Sequence, residues 1–258
     1  NNWFDPFYIQ SHLSEEESNI QKNVRNFCDN ELKPTVVERN RKNEFDQDLY
    51  PKFGSLGVLG QTVKTHGGSG TSNLAYGLVA YEFEKIDSSY RSAISVQSSL
   101  VIHPINEFGS QEQKDKYLPQ LIKGEKIGCF GLTESEAGSD PTSMKTSFKK
   151  TKDGYILNGS KNWITNSPIA DIFIIWAIEE NKDDKSIEGF ILEKNYNGLE
   201  TSTIENKTSL KISPTGQIIL NNVKVPENSR LQKTKGWKSV FSCLNKARFG
   251  ISWGVLGL

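Results

Sequence analysis

The sequence predicts a multidomain α+β chain. A helical N-terminal domain covers 1–128, a β-rich middle domain 129–234, and the first helix of a helical C-terminal domain 235–258. Three observations predict this. Apolar residues recur at helical spacing, with capping residues, as far as about Gly124. Beyond it, glycine and asparagine punctuate short runs rich in β-branched and aromatic residues. From Trp237 the pattern turns helical again, and 247–258 is apolar almost all round, which calls for cover by other elements.

The elements follow in order. Ser14-Glu-Glu-Glu17 is a capping box for a helix carrying Ile20, Val24, Phe27 and Cys28 at helical spacing, and Pro34 ends it. Leu56-Gly-Val-Leu-Gly60 and His66-Gly-Gly-Ser-Gly70 make a turn-rich loop. A second helix is expected from Asn73 to Ile86 and a third from Ser88 towards His103. Ser110-Gln-Glu-Gln113 caps a fourth, which closes at Tyr117-Leu-Pro-Gln-Leu121. In the β region, Tyr155-Ile-Leu157 reads as a strand between turns at Asp153-Gly154 and Asn158-Gly159. The continuous apolar run 172–178 reads as a strand covered on both faces. Gly189-Phe-Ile-Leu192 and Gln217-Ile-Ile-Leu220 are further strands, and Val223-Lys-Val-Pro226 closes the region.

The bulk numbers exclude some classes. With 31 basic and 31 acidic residues in 258, the chain lacks the basic excess of a general nucleic-acid binder. No run of 18 apolar residues exists, so no membrane-spanning helix is expected. The three cysteines, Cys28, Cys129 and Cys243, form no CxxC pair and read as small buried apolar residues; no metal set is expected.

Four segments carry chemistry. In Phe130-Gly-Leu-Thr-Glu-Ser-Glu-Ala-Gly-Ser-Asp140 a strand runs into a Gly-Ser-Asp turn, whose N–H groups and hydroxyl suit a pyrophosphate, although an ordinary loop carries the same tripeptide. In Trp163-Ile-Thr-Asn166, strand alternation puts Trp163 and Thr165 on one face, an aromatic plane beside a hydroxyl. In Tyr90-Arg-Ser-Ala-Ile-Ser-Val-Gln-Ser-Ser99, Arg91, Ser95 and Ser98 stand at i, i+4 and i+7, one helix face on which a guanidinium among hydroxyls can hold a carboxylate. The fourth is Phe241-Ser-Cys-Leu-Asn-Lys-Ala-Arg248, equally readable as a helix start with an ion pair. His103 reads as a core or helix-packing residue.

Phe-Gly-Leu-Thr-Glu, Gly-Ser-Asp-Pro, Asn-Gly-x-Lys-x-Trp-Ile-Thr-Asn and Val-Pro-Glu-Asn occur in that order. This resembles the acyl-CoA dehydrogenase family, over about Phe4 to Leu258, and the string around Arg91 resembles its glutaryl-CoA branch. The resemblance implies FAD as cofactor, lined by Phe130, Gly131, Leu132, Thr133, Gly138 and Ser139, with Trp163, Ile164 and Thr165 at the ring and Thr165 near its hydride-accepting N5. Arg91 and Ser92, with Ser95 and Ser98, would meet the distal carboxylate of the acyl group; Ser139, Phe241, Leu244, Asn245 and Arg248 would contact the acyl-CoA. Ser135-Glu136 departs from the usual Pro-x before the Gly-Ser-Asp turn.

The implied reaction is oxidation of glutaryl-CoA and decarboxylation to crotonyl-CoA, with electrons passing to an electron-transfer flavoprotein. The implied assembly is a homo-oligomer, a tetramer in the family, in the mitochondrial matrix of a eukaryote or the cytoplasm of a bacterium. A non-decarboxylating glutaryl-CoA dehydrogenase, or a non-catalytic acyl-CoA-binding or scaffold protein, fits the same motifs. The family's catalytic glutamate belongs to a third domain, and Glu134, Glu136 and Glu193 do not sit in its motif, so no catalytic residue is assigned in this chain. The chain by itself is therefore expected to hold FAD weakly and to turn over little.

Overall fold

A computed structural model describes residues 8–180 and 186–258; Phe4, where the resemblance begins, lies outside them. Eight α-helices and seven strands are present among the described residues. The first helix, α1 (Glu15–Phe27), starts at the expected capping box: Ser14 accepts from the Glu17 N–H, and the Glu17 carboxylate accepts from the Ser14 N–H. It passes into a wider π turn over Cys28–Leu32 just before Pro34. Two short helices absent from the sequence reading follow, α2 (Val36–Lys42) and α3 (Leu49–Ser55).

The central helix of the bundle is α4 (Asn73–Glu84), capped by Ser72 and buried on nearly every side. Its buried Glu82 takes the Arg25 guanidinium at 2.8 Å and the Gln21 amide at 2.9 Å, so the charge is paired rather than stranded. Next come α5 (Ser88–Ser95), a π turn over Val96–Ile102 and α6 (His103–Phe108). The expected single helix from Ser88 is thus continuous but widened in its middle. Pro104 has no N–H to continue the i→i−4 ladder, and the wide turn ends beside it. The capping box at Ser110 and Gln113 opens α7 (Gln111–Ile122). The Gln113 amide also donates to the carbonyls of Asn228 and Arg230, tying this helix to the β region.

The strands are β1 (Gly128–Gly131), β2 (Ser147–Thr151), β3 (Gly154–Thr165), β4 (Ile172–Glu179), β5 (Ile187–Glu193), β6 (Leu199–Thr203) and β7 (Thr215–Pro226). They form one sheet in the order β1-β4-β2-β3-β7-β6, with β5 also paired to β4. The two pairings β1–β4 and β2–β4 are parallel; the rest are antiparallel. The apolar run in β4 is covered on both faces, as its composition predicts. Ile172, Ile174 and Trp176 join the core shared with the helices, while Phe173, Ile175 and Ala177 fill the inside of the curled sheet.

The turn expected at Asn158-Gly159 is not one. β3 runs straight through it, and the pair makes a bulge against β7 between Leu157 and Gly159. Gly159 adopts φ +140° where a Cβ would lie 2.5 Å from Thr146 Oγ1, so asparagine–glycine chemistry here serves a close crossing instead of a reversal. The last helix, α8 (Trp237–Gly254), lies on α4, α5 and the π turn between α5 and α6. No described helix is long and apolar enough to cross a membrane.

Carboxylates hold the helical and β parts together at one edge. Asp171 accepts the Ile127 N–H at 3.1 Å and pairs with Lys194 at 2.8 Å; Glu193 accepts Lys116 at 2.8 Å and the Tyr117 hydroxyl at 3.0 Å. Burial alone would raise the Asp171 pKa, but Lys194, the Ile127 N–H and Lys126 outweigh it and hold the group below its usual 3.8. Glu193 is held below 4.5, chiefly by Lys116. Depressed folded values mean that this stability is complete above the unfolded values and is lost as pH falls through the folded ones. Melting temperature is therefore expected to drop below about pH 4, with these two groups contributing to the loss. An Asp171→Asn, Glu193→Gln double variant should flatten the acid limb of that profile; an unchanged limb would exclude the two groups.

Candidate functional site

Two segments of the β region meet beneath an exposed indole. At the end of β1, Phe130 is buried with its ring edge-on to Trp176 at 6.2 Å, and Gly131 lies in the core. These two can offer a ligand only backbone. The chain then loops through 132–140, with Leu132 buried, Thr133 half-buried, and Gly138 and Ser139 exposed. No atom lies within 4 Å of where a Cβ on Gly138 would stand, so the loop is open at that point. Asp140 caps the turn Pro141–Ser143 by accepting the Thr142 N–H at 3.0 Å.

Strand β3 clasps this loop residue by residue. Lys161 is fully buried, and its Nζ donates to the Leu132 carbonyl at 3.0 Å and to Glu134 at 2.9 Å. The Asn162 N–H donates to the Thr133 carbonyl at 2.9 Å and its side-chain amide to Ser135 Oγ at 3.1 Å. A bulge then follows between Lys161 and Ile164, with Trp163 at φ +60°. Its indole is 58% exposed, while Ile164 is buried and Thr165 half-buried. Simple strand alternation therefore does not describe 163–165; the left-handed residue turns the indole outward. An exposed tryptophan in a strained bulge, beside a half-buried threonine and an open Gly-Ser loop, fits a planar ring continued by a polar tail.

The carboxylates of this region are engaged. Glu134 accepts Lys161 and the N–H groups of Lys145 at 2.7 Å and Thr146 at 2.9 Å. Burial works to raise its pKa, but Lys161 and those donors bring it below the usual 4.5. Glu136 pairs with Lys145 at 2.6 Å on the surface.

The second part of the site lies between α4, α5 and α8. Arg91, on α5, is 12% exposed and its Nε donates to Glu84, itself 2% exposed at the end of α4. Glu84 also accepts the Ser88 hydroxyl. The terminal amino groups of Arg91 meet no acceptor among the described residues. Gly254 of α8 closes over the pair: a Cβ there would stand 2.6 Å from Glu84 Oε2 and 3.2 Å from Arg91 Nε. Beside it the buried Tyr76 hydroxyl contacts Ser99 Oγ at 2.7 Å, close to Ser95, and Gly250 leaves room for its ring. Burial pushes the Tyr76 phenol above its usual range. Ser92 is half-buried next to Arg91.

Ser98 departs from the expected face. It lies in the π turn, whose wider winding breaks the i, i+4, i+7 alignment, and its hydroxyl is taken by the 58–60 loop, accepting the Gly60 N–H at 3.0 Å. Arg91 and Ser95 thus reach one polar cluster, and Ser98 reaches another. On α8, Phe241, Asn245 and Arg248 are exposed at i, i+4 and i+7, with Arg248 bonded to Asn245 at 3.0 Å; Leu244 packs against the core. His103 is half-buried, its ring edge-on to Phe108 and 3.3 Å from Ser242 Oγ, in keeping with a packing role.

Sequence reasoning missed Glu84, Tyr76, Lys161 and Asn162. Glu84 stands seven residues before Arg91, but the break at Ile86-Asp87 hides that pairing from a single-helix view. Lys161 and Asn162 were inside a quoted motif, where lysine in a strand reads as solvent-facing.

Comparisons with known proteins agree with this layout. Residues 14–125 match the N-terminal domain of acyl-CoA dehydrogenases and 129–223 match their middle domain. The chain is 36% identical over 249 residues to a short-chain-specific acyl-CoA dehydrogenase of Clostridium acetobutylicum, covering 95% of this chain and 66% of that protein. It is 37% identical over 253 residues to the mitochondrial isovaleryl-CoA dehydrogenase of Pongo abelii, covering 95% and 60%. The structure superposes on a glutaryl-CoA dehydrogenase of Mycobacterium smegmatis, solved in complex with FADH2, with a TM-score of 0.94 at 40% identity, over 97% of this chain and 64% of that one. The chain thus spans somewhat less than two thirds of the length of these relatives.

Proposed function

The chain belongs to the acyl-CoA dehydrogenase family, a family of FAD-dependent oxidoreductases, and from that premise we propose that it binds FAD across the 132–140 loop and Trp163 and serves oxidation of a short acyl-CoA with a distal carboxylate, glutaryl-CoA first. When bound, FAD supplies the hydride acceptor. The chain's own residues supply the rest: an indole and the Thr165 hydroxyl at the ring, backbone and Ser139 at the polar tail, and Arg91 at the far end of the acyl group. Phe241, Asn245 and Arg248 form the face along which the CoA would run. Electrons would leave to an electron-transfer flavoprotein, and a homo-oligomer would complete the site; the matrix or a bacterial cytoplasm is the setting that this function implies.

The observation that carries the substrate reading is the state of Arg91. One edge of its guanidinium is held by Glu84, its terminal amino groups are left for another acceptor, and it is almost out of water. A carboxylate brought there gains a paired, water-poor partner. Glu84 also favours a second reading, oxidation of an uncharged short acyl-CoA. It already balances the Arg91 charge, so a substrate carboxylate would leave the cluster net negative.

The test is the ratio of kcat/KM for glutaryl-CoA over butyryl-CoA, in a polypeptide carrying these 258 residues and the third helical domain of the family. A ratio well above one is expected; a preference for butyryl-CoA would overturn the glutaryl assignment and support the second reading. Crotonyl-CoA as the product of glutaryl-CoA identifies the decarboxylating form, and glutaconyl-CoA the non-decarboxylating one.

A further inference from the structure

We propose that Lys161 is the positioning residue of the flavin site: without touching the cofactor, its buried ammonium sets the 132–135 segment against the Trp163 bulge. The proposal rests on the flavin reading above. Lys161 stands two residues before the indole, and no part of its side chain is exposed. Its two bonds, to the Leu132 carbonyl and to Glu134, fix the segment on one side. Glu134 passes the restraint on, because the same carboxylate holds the N–H groups of Lys145 and Thr146 across the loop. Asn162 adds the next rung, to Thr133 and Ser135, and its Oδ1 accepts the Trp163 N–H at 3.0 Å. The two segments proposed to line the ring are thus registered to each other through Lys161 and Asn162.

Space for the lysine is built in. A Cβ on Gly131 would stand 3.2 Å from Lys161 Cγ and 2.7 Å from Ile175 Cδ1, so the glycine lets the aliphatic stem cross β1. Burial pulls the ammonium down to about 8, against the attraction of Glu134. An apolar side chain of similar length would fill this space without desolvating a charge. What the ammonium adds is two directed bonds at the foot of the loop.

The test compares Lys161→Met and Glu134→Gln with the unaltered protein, again with the third helical domain present, prepared with and without FAD. Three quantities are read: amide hydrogen exchange at Lys145, Thr146 and Asn162 in the flavin-free protein, the FAD dissociation constant, and the visible circular dichroism of bound flavin. Lys161→Met is expected to speed exchange at the three amides, weaken FAD at least about tenfold and change the dichroism; Glu134→Gln should move all three the same way. A role confined to stability would leave the dichroism of the bound flavin unmoved. Unaltered FAD affinity and dichroism in Lys161→Met would overturn the proposal. If that variant does not fold, Glu134→Gln decides on the same two readouts. An unaltered protein that binds no FAD would instead overturn the flavin reading, and the role of Lys161 towards the flavin with it.

Discussion

In a polypeptide that also carries the family's third helical domain, Arg91→Ala is expected to lower kcat/KM for glutaryl-CoA at least about tenfold, equivalent to ~1.4 kcal/mol, while butyryl-CoA use changes little or improves. The guanidinium is nearly buried, and a carboxylate stripped of water beside it needs that partner. Losing one member of a buried charge pair costs roughly 3–5 kcal/mol, and partial solvation could halve this. The structure adds a complication, because the same change strands Glu84 at 2% exposure. A loss of stability is therefore expected alongside the loss of selectivity. Taking the ratio of two substrates in one protein separates them, since misfolding lowers both rates alike. A ratio that does not move would make Arg91 a structural partner of Glu84 and remove the main support for the glutaryl reading.

Asn166→Ala should destabilise the fold by about 2–4 kcal/mol, read as a lower melting temperature or denaturation midpoint. Asn166 is fully buried and its amide donates to the Tyr50 hydroxyl at 2.7 Å and to the Gly128 carbonyl at 3.1 Å. Its N–H reaches the Pro214 carbonyl at 2.7 Å. One side chain thus joins helix α3, strand β1 and the end of β3. It does so at φ +70°, a conformation that asparagine tolerates and alanine does not. Its Oδ1 has no partner, and removing that atom offsets part of the loss. Asn166→Gly should keep the backbone penalty small and lose only the side-chain bonds. An alanine variant as stable as the parent would show that the bridge contributes nothing.

The parts legible in sequence were those written in local chemistry. Ser14 with Glu17 and Ser110 with Gln113 announce helix starts because the cap is made by residues three apart. The apolar run in β4 announces a doubly covered strand because both of its faces need apolar atoms. Strands β2 and β6 went unread. Five residues carry too little periodicity, and the exposed residues of β6 give no buried face. Asn158-Gly159 has the composition of a hairpin turn, yet the crossing of Thr146 decides its shape, and that contact is invisible along the chain. Arg91 was singled out by its helix spacing together with the resemblance of the string around it, whereas its partner Glu84 lies across a helix break. Ser98 was misplaced because spacing rules assume 3.6 residues per turn, and the π turn does not keep to them.

The pairing of β3 with β7 has a consequence for how the chain is made. Gly154 meets Pro226 and Thr165 meets Thr215, so the two longest strands are partners whose paired residues stand 50 to 72 positions apart. On a ribosome the helices through α7 emerge well before either strand can be matched. Their shared core still waits for Ile172, Ile174 and Trp176, and for Asn166 to reach Tyr50. The helical part is therefore translated first but sealed late, after a long-range loop has closed. During that interval the apolar side of the Val96–Ile102 turn, which packs on β1 and β4, lies open to solvent, and we expect nascent chains stalled between α7 and β4 to lean most on a chaperone.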